Sequence, residues 1–169
     1  MKNIVLVGMM SSGKTTIGRI LAKKLNYTFI DLDALIETDQ NTTISKLFSE
    51  KGEHFFREIE SKILKSLTIN NRLVIASGGG TPCFHNNMEY IKSLGTSVYL
   101  DIPASALARR IKSHGKDDRP ILSGAESLQT LLQSKIDERA PFYHQADIHI
   151  QGELPIDNIL TIILEVIQK

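Results

Sequence analysis

Ile4-Val5-Leu6-Val7-Gly8-Met9-Met10-Ser11-Ser12-Gly13-Lys14-Thr15 is the stretch that decides how the rest of this chain is read. Four apolar residues, Ile4 to Val7, have the length of a short buried strand. Gly8, four more residues, then Gly13, Lys14 and Thr15 spell the phosphate-binding loop G-x-x-x-x-G-K-[ST]. Beyond it, Ile17, Ile20, Leu21 and Leu25 recur at helical spacing and predict a helix over about 14–25. Strand, glycine loop and helix therefore follow in the order the motif needs. Glycine lets the backbone turn sharply and approach an anion with no side chain in the way. Successive N–H groups and the helix N-terminus then face the phosphates of a nucleotide. Ser11, Ser12, Gly13, Lys14, Thr15 and Thr16 are the residues expected against that nucleotide, with Lys14 reaching the outer phosphates and the Thr15 hydroxyl able to bind Mg²⁺.

Bulk properties narrow the partners. With 169 residues the chain suits one domain, 1–169, with a sizeable core. A net charge of +1 offers no broad field for nucleic acid or a membrane surface, so an anionic ligand must be held by local clusters. One cysteine, Cys83, excludes an internal disulfide and fits a reducing compartment, where its expected role is packing. The apolar run before Gly8 is too short for a signal-peptide core, and no run is long enough to span a bilayer. A cytoplasmic monomer is the expectation.

Taken in order, Tyr27 to Leu32 reads as a second strand, 43–51 as a short helical piece stopped by Gly52, and 53–68 as a longer helix. Arg72 to Ala76 is a third strand, ending in Ser77-Gly78-Gly79-Gly80. A helix near 85–93 stops at Gly95, and Ser97 to Leu100 is a fourth strand. Pro103 sits where a helix can begin, and that helix runs to about Ser113. Another reaches about Glu138, Asp147 to Ile150 is a weak fifth strand, and Pro155 precedes a last helix striped by Ile159, Ile162, Ile163, Val166 and Ile167. Strands alternating with helices predict a parallel α/β sheet with helices on both faces. Ligands of such sheets sit beyond the carboxyl ends of the strands.

Those ends carry the second set of clues. Asp31-Leu32-Asp33 closes the second strand, and period-two geometry puts both carboxylates on one face. Asp31 can orient Mg²⁺ or its waters, and Asp33 can accept a hydrogen bond from an acceptor hydroxyl; equally, Asp33 can be a helix N-cap. In the helix 53–68 the apolar stripe is Phe56, Ile59, Ile63 and Leu67, and Glu60 falls inside it. A carboxylate there is costly unless paired, and Arg57 lies three residues away. The pair is either a structural ion pair or a device by which Glu60 orients Arg57 toward a bound acid, which the planar guanidinium suits. Gly78, Gly79 and Gly80 let backbone approach a ligand or make a tight turn. No Asp ends the third strand, so the acid usual there must come from Asp31. Residues 114–124 are charge-rich and flanked by glycines, either as a solvated loop or as a lid in which Arg119 meets phosphate charge. Arg139, read alone, is a surface arginine just before Ala140-Pro141.

Taken together, these motifs closely resemble the shikimate kinase family. The resemblance spans most of the chain and rests on the loop 8–15, Asp31-Leu32-Asp33, Phe56-Arg57-Glu58-Ile59-Glu60, Gly78-Gly79-Gly80, Arg119-Pro120 and Glu138-Arg139-Ala140-Pro141-Phe142-Tyr143. It implies a three-layer P-loop kinase fold of the nucleoside-monophosphate-kinase type, with a five-stranded parallel sheet, a substrate-binding helical segment at about 33–61 and a lid at about 112–124. It implies ATP- and Mg²⁺-dependent phosphorylation of the shikimate 3-hydroxyl, in aromatic amino-acid biosynthesis. By the same resemblance, Asp33, Arg57, Gly79 and Arg139 hold shikimate, flanked by Gly78 and Gly80, and Glu60 orients Arg57. Lys14 and Arg119 meet the moving charge, Thr15 and Asp31 serve the metal, and Arg110 and the stretch near Pro155 flank adenine. Gln151-Gly152 departs from the Asp-Thr the family often has after its last strand. Three rivals stand beside this reading: a gluconate or nucleotide kinase of the same fold, a GTPase-type switch, and a ligand-binding regulator without turnover. The second lacks the Asn-Lys-x-Asp guanine signature, and the full set of charged residues speaks against the third.

Overall fold

The computed structural model describes residues 2–113 and 127–167. Five strands, β1 (Asn3–Val7), β2 (Thr28–Asp31), β3 (Leu73–Ala76), β4 (Gly95–Asp101) and β5 (Ile148–Gln151), form one parallel sheet in the order β2-β3-β1-β4-β5. Seven α-helices accompany them among the described residues: α1 (Lys14–Leu25), α2 (Leu32–Gln40), α3 (Ile44–Ser66), α4 (Asn87–Leu94), α5 (Ala104–Ser113), α6 (Leu128–Tyr143) and α7 (Ile156–Ile167).

Residue parity sorts the core into two layers. Ile4, Leu6, Val74, Val98, Leu100, Ile148 and Ile150 face α1 and α7, where Ile17, Leu21, Ile159 and Ile163 meet them. Val5, Val7, Leu73, Ile75 and Tyr99 face the opposite layer, with Leu64, Ile91, Leu107 and Leu132. Alternate side chains of a strand point to opposite faces, so β1 is apolar and buried throughout because both faces are covered. None of the described helices is long and apolar enough to cross a membrane.

At the amino-terminal rim of the sheet, the fully buried Asn3 links three segments. Its Nδ2 donates to the carbonyls of Thr68 (2.8 Å) and Leu94 (3.2 Å), and its Oδ1 accepts from the backbone N–H of Asn71 and of Leu73, both at 3.1 Å.

The sequence expectation for this layout holds for the strand and helix order and needs four local corrections. The second strand stops at Asp31, and Leu32 and Asp33 already belong to α2. The period-two argument for the two carboxylates therefore does not apply to them. Asp31, not Asp33, is the N-cap, accepting from the Ala34 N–H at 3.4 Å. The spacing of Leu32, Leu35 and Ile36 is helical and carries this signal. Second, α6 does not end near Glu138 but runs through Pro141 to Tyr143. A proline in the last turn forfeits one intrahelical bond, and Tyr143, fully buried against Tyr99, holds the turn in place. Third, Val166 is 45% exposed, and Leu160 fills the α7 stripe instead. Fourth, Leu67 lies beyond the end of α3, whose buried face is completed by Leu64.

The break expected at Gly52 is present. Inside α3 its φ is 82° and ψ 170°, a conformation side chains rarely adopt, while a Cβ there would meet nothing within 4 Å. Conformation, not crowding, calls for glycine at that hinge. Beyond that break, Arg57 and Glu60 reach Gly80 and Gly78, just past the carboxyl end of β3.

Candidate active site

The phosphate loop is closed on itself by its lysine. Lys14 is buried, and its Nζ donates to the carbonyls of Gly8 (2.9 Å) and Met9 (2.7 Å), with the Ser12 hydroxyl at 3.4 Å. Gly8 (φ 138°) and Gly13 (φ 101°) take the left-handed conformations that open the loop, and a Cβ on Gly8 would lie 2.8 Å from the Leu100 carbonyl oxygen. Ser11 also has a positive φ, 61°. Thr16 is exposed at the start of α1. Arg110 of α5 braces the loop from outside, its Nη1 donating to the carbonyls of Ser11 (3.2 Å) and Ser12 (3.3 Å), while Nη2 meets Glu153 at 3.3 Å. Glu153 also pairs with Arg109 at 2.5 Å, and this bond, ahead of the neighbouring arginine charges, lowers its carboxyl pKa. Pro155 lies two residues on, exposed, at the head of α7.

Next to the loop stands the acid expected to replace the missing one on β3. The Thr15 hydroxyl donates to Asp31 Oδ2 at 2.9 Å, joining the first turn of α1 to the end of β2. In register, Asp31 pairs with Ala76, so Ser77 comes next at the neighbouring strand end. Among the described residues, Ser77 Oγ is the buried side-chain oxygen without a hydrogen-bond partner. The Thr15 hydroxyl and the Asp31 carboxylate are oxygen donors of the kind that suit Mg²⁺ and its waters.

On the other side of the loop, the three glycines after β3 are enclosed by charged side chains. A Cβ on Gly78 would stand 2.8 Å from Asp33 Oδ1 and 3.0 Å from Glu60 Oε1. One on Gly79 would stand 3.2 Å from Arg139 Nη1, and one on Gly80 would stand 2.6 Å from Arg57 Nη2. The triple glycine is thus where backbone and four charged side chains meet, and any side chain there would displace them. Gly79 also lies against the loop itself, the Met10 nitrogen being 3.4 Å from its Cβ direction.

Glu60, 1% exposed, accepts from Arg57 Nη1 at 2.8 Å and from the Thr81 hydroxyl at 2.6 Å. Arg57 is held further by Glu53 at 3.1 and 3.2 Å and by the ring of Phe84, 4.4 Å from its guanidinium carbon. The pair is a buried ion pair, and it holds the guanidinium beside Gly80. Arg139 is half-buried, with Met9 Sδ 3.5 Å from Nη1. It faces the site and is not a plain surface residue. Tyr143, one turn along α6, donates its hydroxyl to the Gly79 carbonyl, and burial pushes its pKa well above the usual tyrosine range, so it remains a donor. Arg119 and the rest of the expected lid from 114 to 124 lie outside the described residues; Lys112 and Ser113 end α5.

The sequence assigns no site role to Glu53, Thr81, Phe84, Tyr143 or Glu153. Glu53 was within reach of it, four residues before Arg57 on one helix face. The others join the site through tertiary packing, and spacing along the chain carries no trace of them.

Comparison with known proteins gives one consistent result. The family model described as "Shikimate kinase" matches residues 10–168. A protein named shikimate kinase from Parabacteroides distasonis is 41% identical over 155 residues, 90% of this chain and 89% of its own. The crystal structure of shikimate kinase from Bacteroides thetaiotaomicron superposes with a TM-score of 0.89 at 38% identity, covering 99% and 98% of the two chains. That of shikimate kinase from Acinetobacter baumannii in complex with shikimate gives 0.90 at 35% identity, covering 99% and 93%. A gluconokinase from Sinorhizobium meliloti, with a TM-score of 0.60 at 17% identity, shares the fold alone.

Proposed function

The chain belongs to the shikimate kinase family, and on that premise we propose how its residues divide the transfer of the γ-phosphoryl group of ATP to the 3-hydroxyl of shikimate. The observation that carries the reading is the meeting of Asp33, Arg57, Glu60 and Arg139 around Gly78–Gly80, directly beside the phosphate loop. A carboxylated, hydroxylated acceptor suits that cavity: two guanidinium groups take the carboxylate, while Asp33 and the Gly79 backbone take hydroxyls.

In this scheme the loop 8–16 cradles the triphosphate. Lys14 exchanges a loop carbonyl for a phosphate oxygen and holds the charge that develops there. Thr15, with Asp31 behind it, would hold Mg²⁺, which would supply charge neutralisation across the phosphates when bound. Asp33 accepts the hydrogen bond of the attacking hydroxyl. The transition state of such transfers is loose, so an ordinary carboxylate suffices and positioning carries most of the rate. Glu60 fixes Arg57, and Arg139 closes the carboxylate clamp from α6. Arg119, on a lid at about 112–124, completes the charge around the moving group, and Arg110 with the stretch near Pro155 flanks adenine. The helical segment 33–61 forms the acceptor side. A cytoplasmic monomer belongs to the same proposal.

The test is ATP consumption by the purified chain offered shikimate, gluconate or nucleoside monophosphates. Shikimate alone should support turnover, and Lys14→Ala should abolish it. Turnover with gluconate in place of shikimate would overturn the acceptor assignment. The paired arginines accommodate any carboxylate, but the family match and the gluconokinase's likeness in fold alone favour shikimate.

A further inference from the structure

A second constellation of chemistry-bearing side chains lies where β4, β5 and the end of α6 come together. Asp101 is the last residue of β4, His149 stands beside it on β5, and His144 caps α6. One donor atom from each of the three lies within 4.8 Å of the others. His149 Nε2 is 2.9 Å from Asp101 Oδ2, and the two imidazole rings are 5.3 Å apart. Both histidines are exposed and Asp101 is half-buried, so an ion reaching them from solvent finds an open path.

We propose that Asp101, His144 and His149 form a binding site for one late divalent transition-metal ion of the zinc class. Two imidazole nitrogens and one carboxylate oxygen are the donor set such ions take, whereas Mg²⁺ prefers oxygen alone. Ligands about 2.0–2.1 Å from a tetrahedral ion stand roughly 3.3 Å from one another. The Asp101–His149 separation is close to that already, and His144 needs only a side-chain rotation at the surface. The carboxylate is also supported from behind: the Tyr99 hydroxyl donates to Asp101 Oδ1 at 3.0 Å, leaving Oδ2 for the ion. Tyr99 stacks on His149 at 4.8 Å between centroids and packs on Tyr143 at 4.9 Å, so ring positions on both sides are fixed by the core.

An ion here would tie the end of α6 to the sheet one turn beyond Arg139, at the helix end that also carries Tyr143 and its bond to Gly79. The site thus reaches the acceptor cavity through packed side chains while sharing no residue with the nucleotide loop.

The experiment is equilibrium dialysis of the untagged full chain against Zn²⁺ without nucleotide, paired with thermal melts and with Co²⁺ absorption as a coordination signature. Wild type should take up one equivalent, show a tetrahedral Co²⁺ band and melt several degrees higher with Zn²⁺. His144→Gln/His149→Gln should fold, since both side chains are exposed, and lose all three responses. Tyr99→Phe should keep the site with affinity reduced about 10-fold. His54→Gln/His85→Gln should bind as wild type does. Absence of uptake by wild type, or equal uptake by the His144/His149 double variant, would overturn the proposal.

Discussion

The two arginines that face the triple glycine are held in opposite ways. Arg57, on α3, is buried, bonded to Glu60 and Glu53 and set over the ring of Phe84. Arg139, on α6, is half-buried, rests on Met9 Sδ, and has no carboxylate within ion-pair distance among the described residues. One guanidinium is held by two carboxylates, and the other, among the described residues, meets a thioether and the Tyr143 hydroxyl. A site that recognises an acid needs both. A fully paired pair of arginines has little left for the ligand, and two unpaired ones would repel each other in a poorly solvated cavity. In the proposed scheme the wall on α3 sets geometry, and the wall on α6 supplies charge.

The largest expected contrast is in stability. Arg57→Ala strands Glu60 as an unpaired buried carboxylate and should cost about 3–5 kcal/mol, whereas Arg139→Ala should cost less than about 1 kcal/mol. Denaturant melts of the two variants measure this, and equal losses would break the contrast. Both should raise the KM for shikimate far more than that for ATP, and an equal rise in both would count against the clamp. Cys83 probes the ground between the two arginines. Burial pushes its thiol from an ordinary value of 9.0 up to about 11, even though Arg139 and Arg57 pull it down. A raised pKa keeps the thiol protonated, so below pH 9 its alkylation should run about 100-fold slower than that of a free thiol, and should recover only as pH climbs toward 11. Fast alkylation at neutral pH would mean that the arginine field wins over burial. Glycine substitutions come next. Gly80→Ala pushes on a guanidinium locked by two carboxylates and should destabilise by about 1–3 kcal/mol. Gly79→Ala meets the looser Arg139 and should cost less, with its effect showing in the KM for shikimate. Tyr143→Phe, which frees the Gly79 carbonyl, should cost about 1 kcal/mol in the same melts.

Much of this was legible in the chain. The loop 8–15 carries its own context, so its strand and helix follow from local pattern. The Arg57–Glu60 pair was legible because a carboxylate on an apolar helix face demands a partner. Arg139 was legible only through the family motif: read alone, an arginine before Ala-Pro is a surface residue, and its approach to Gly79 is a matter of tertiary packing. The N-cap was misassigned between Asp31 and Asp33 because a strand and a helix meet there without a linker, and either period accommodates the pair. Partners such as Thr81 and Phe84 depend on where the chain after β3 folds back, which spacing does not encode.

The sheet's other rim rewards a last look at Asn3. Its amide nitrogen faces two carbonyl oxygens, and its amide oxygen faces two N–H groups. Hydrolysis of that amide to the acid, the slow chemistry by which asparagines age, would leave the second half satisfied. It would turn the first into oxygen facing oxygen at both Thr68 and Leu94. The junction of three segments, far from any phosphate, hangs on a single nitrogen staying where it is.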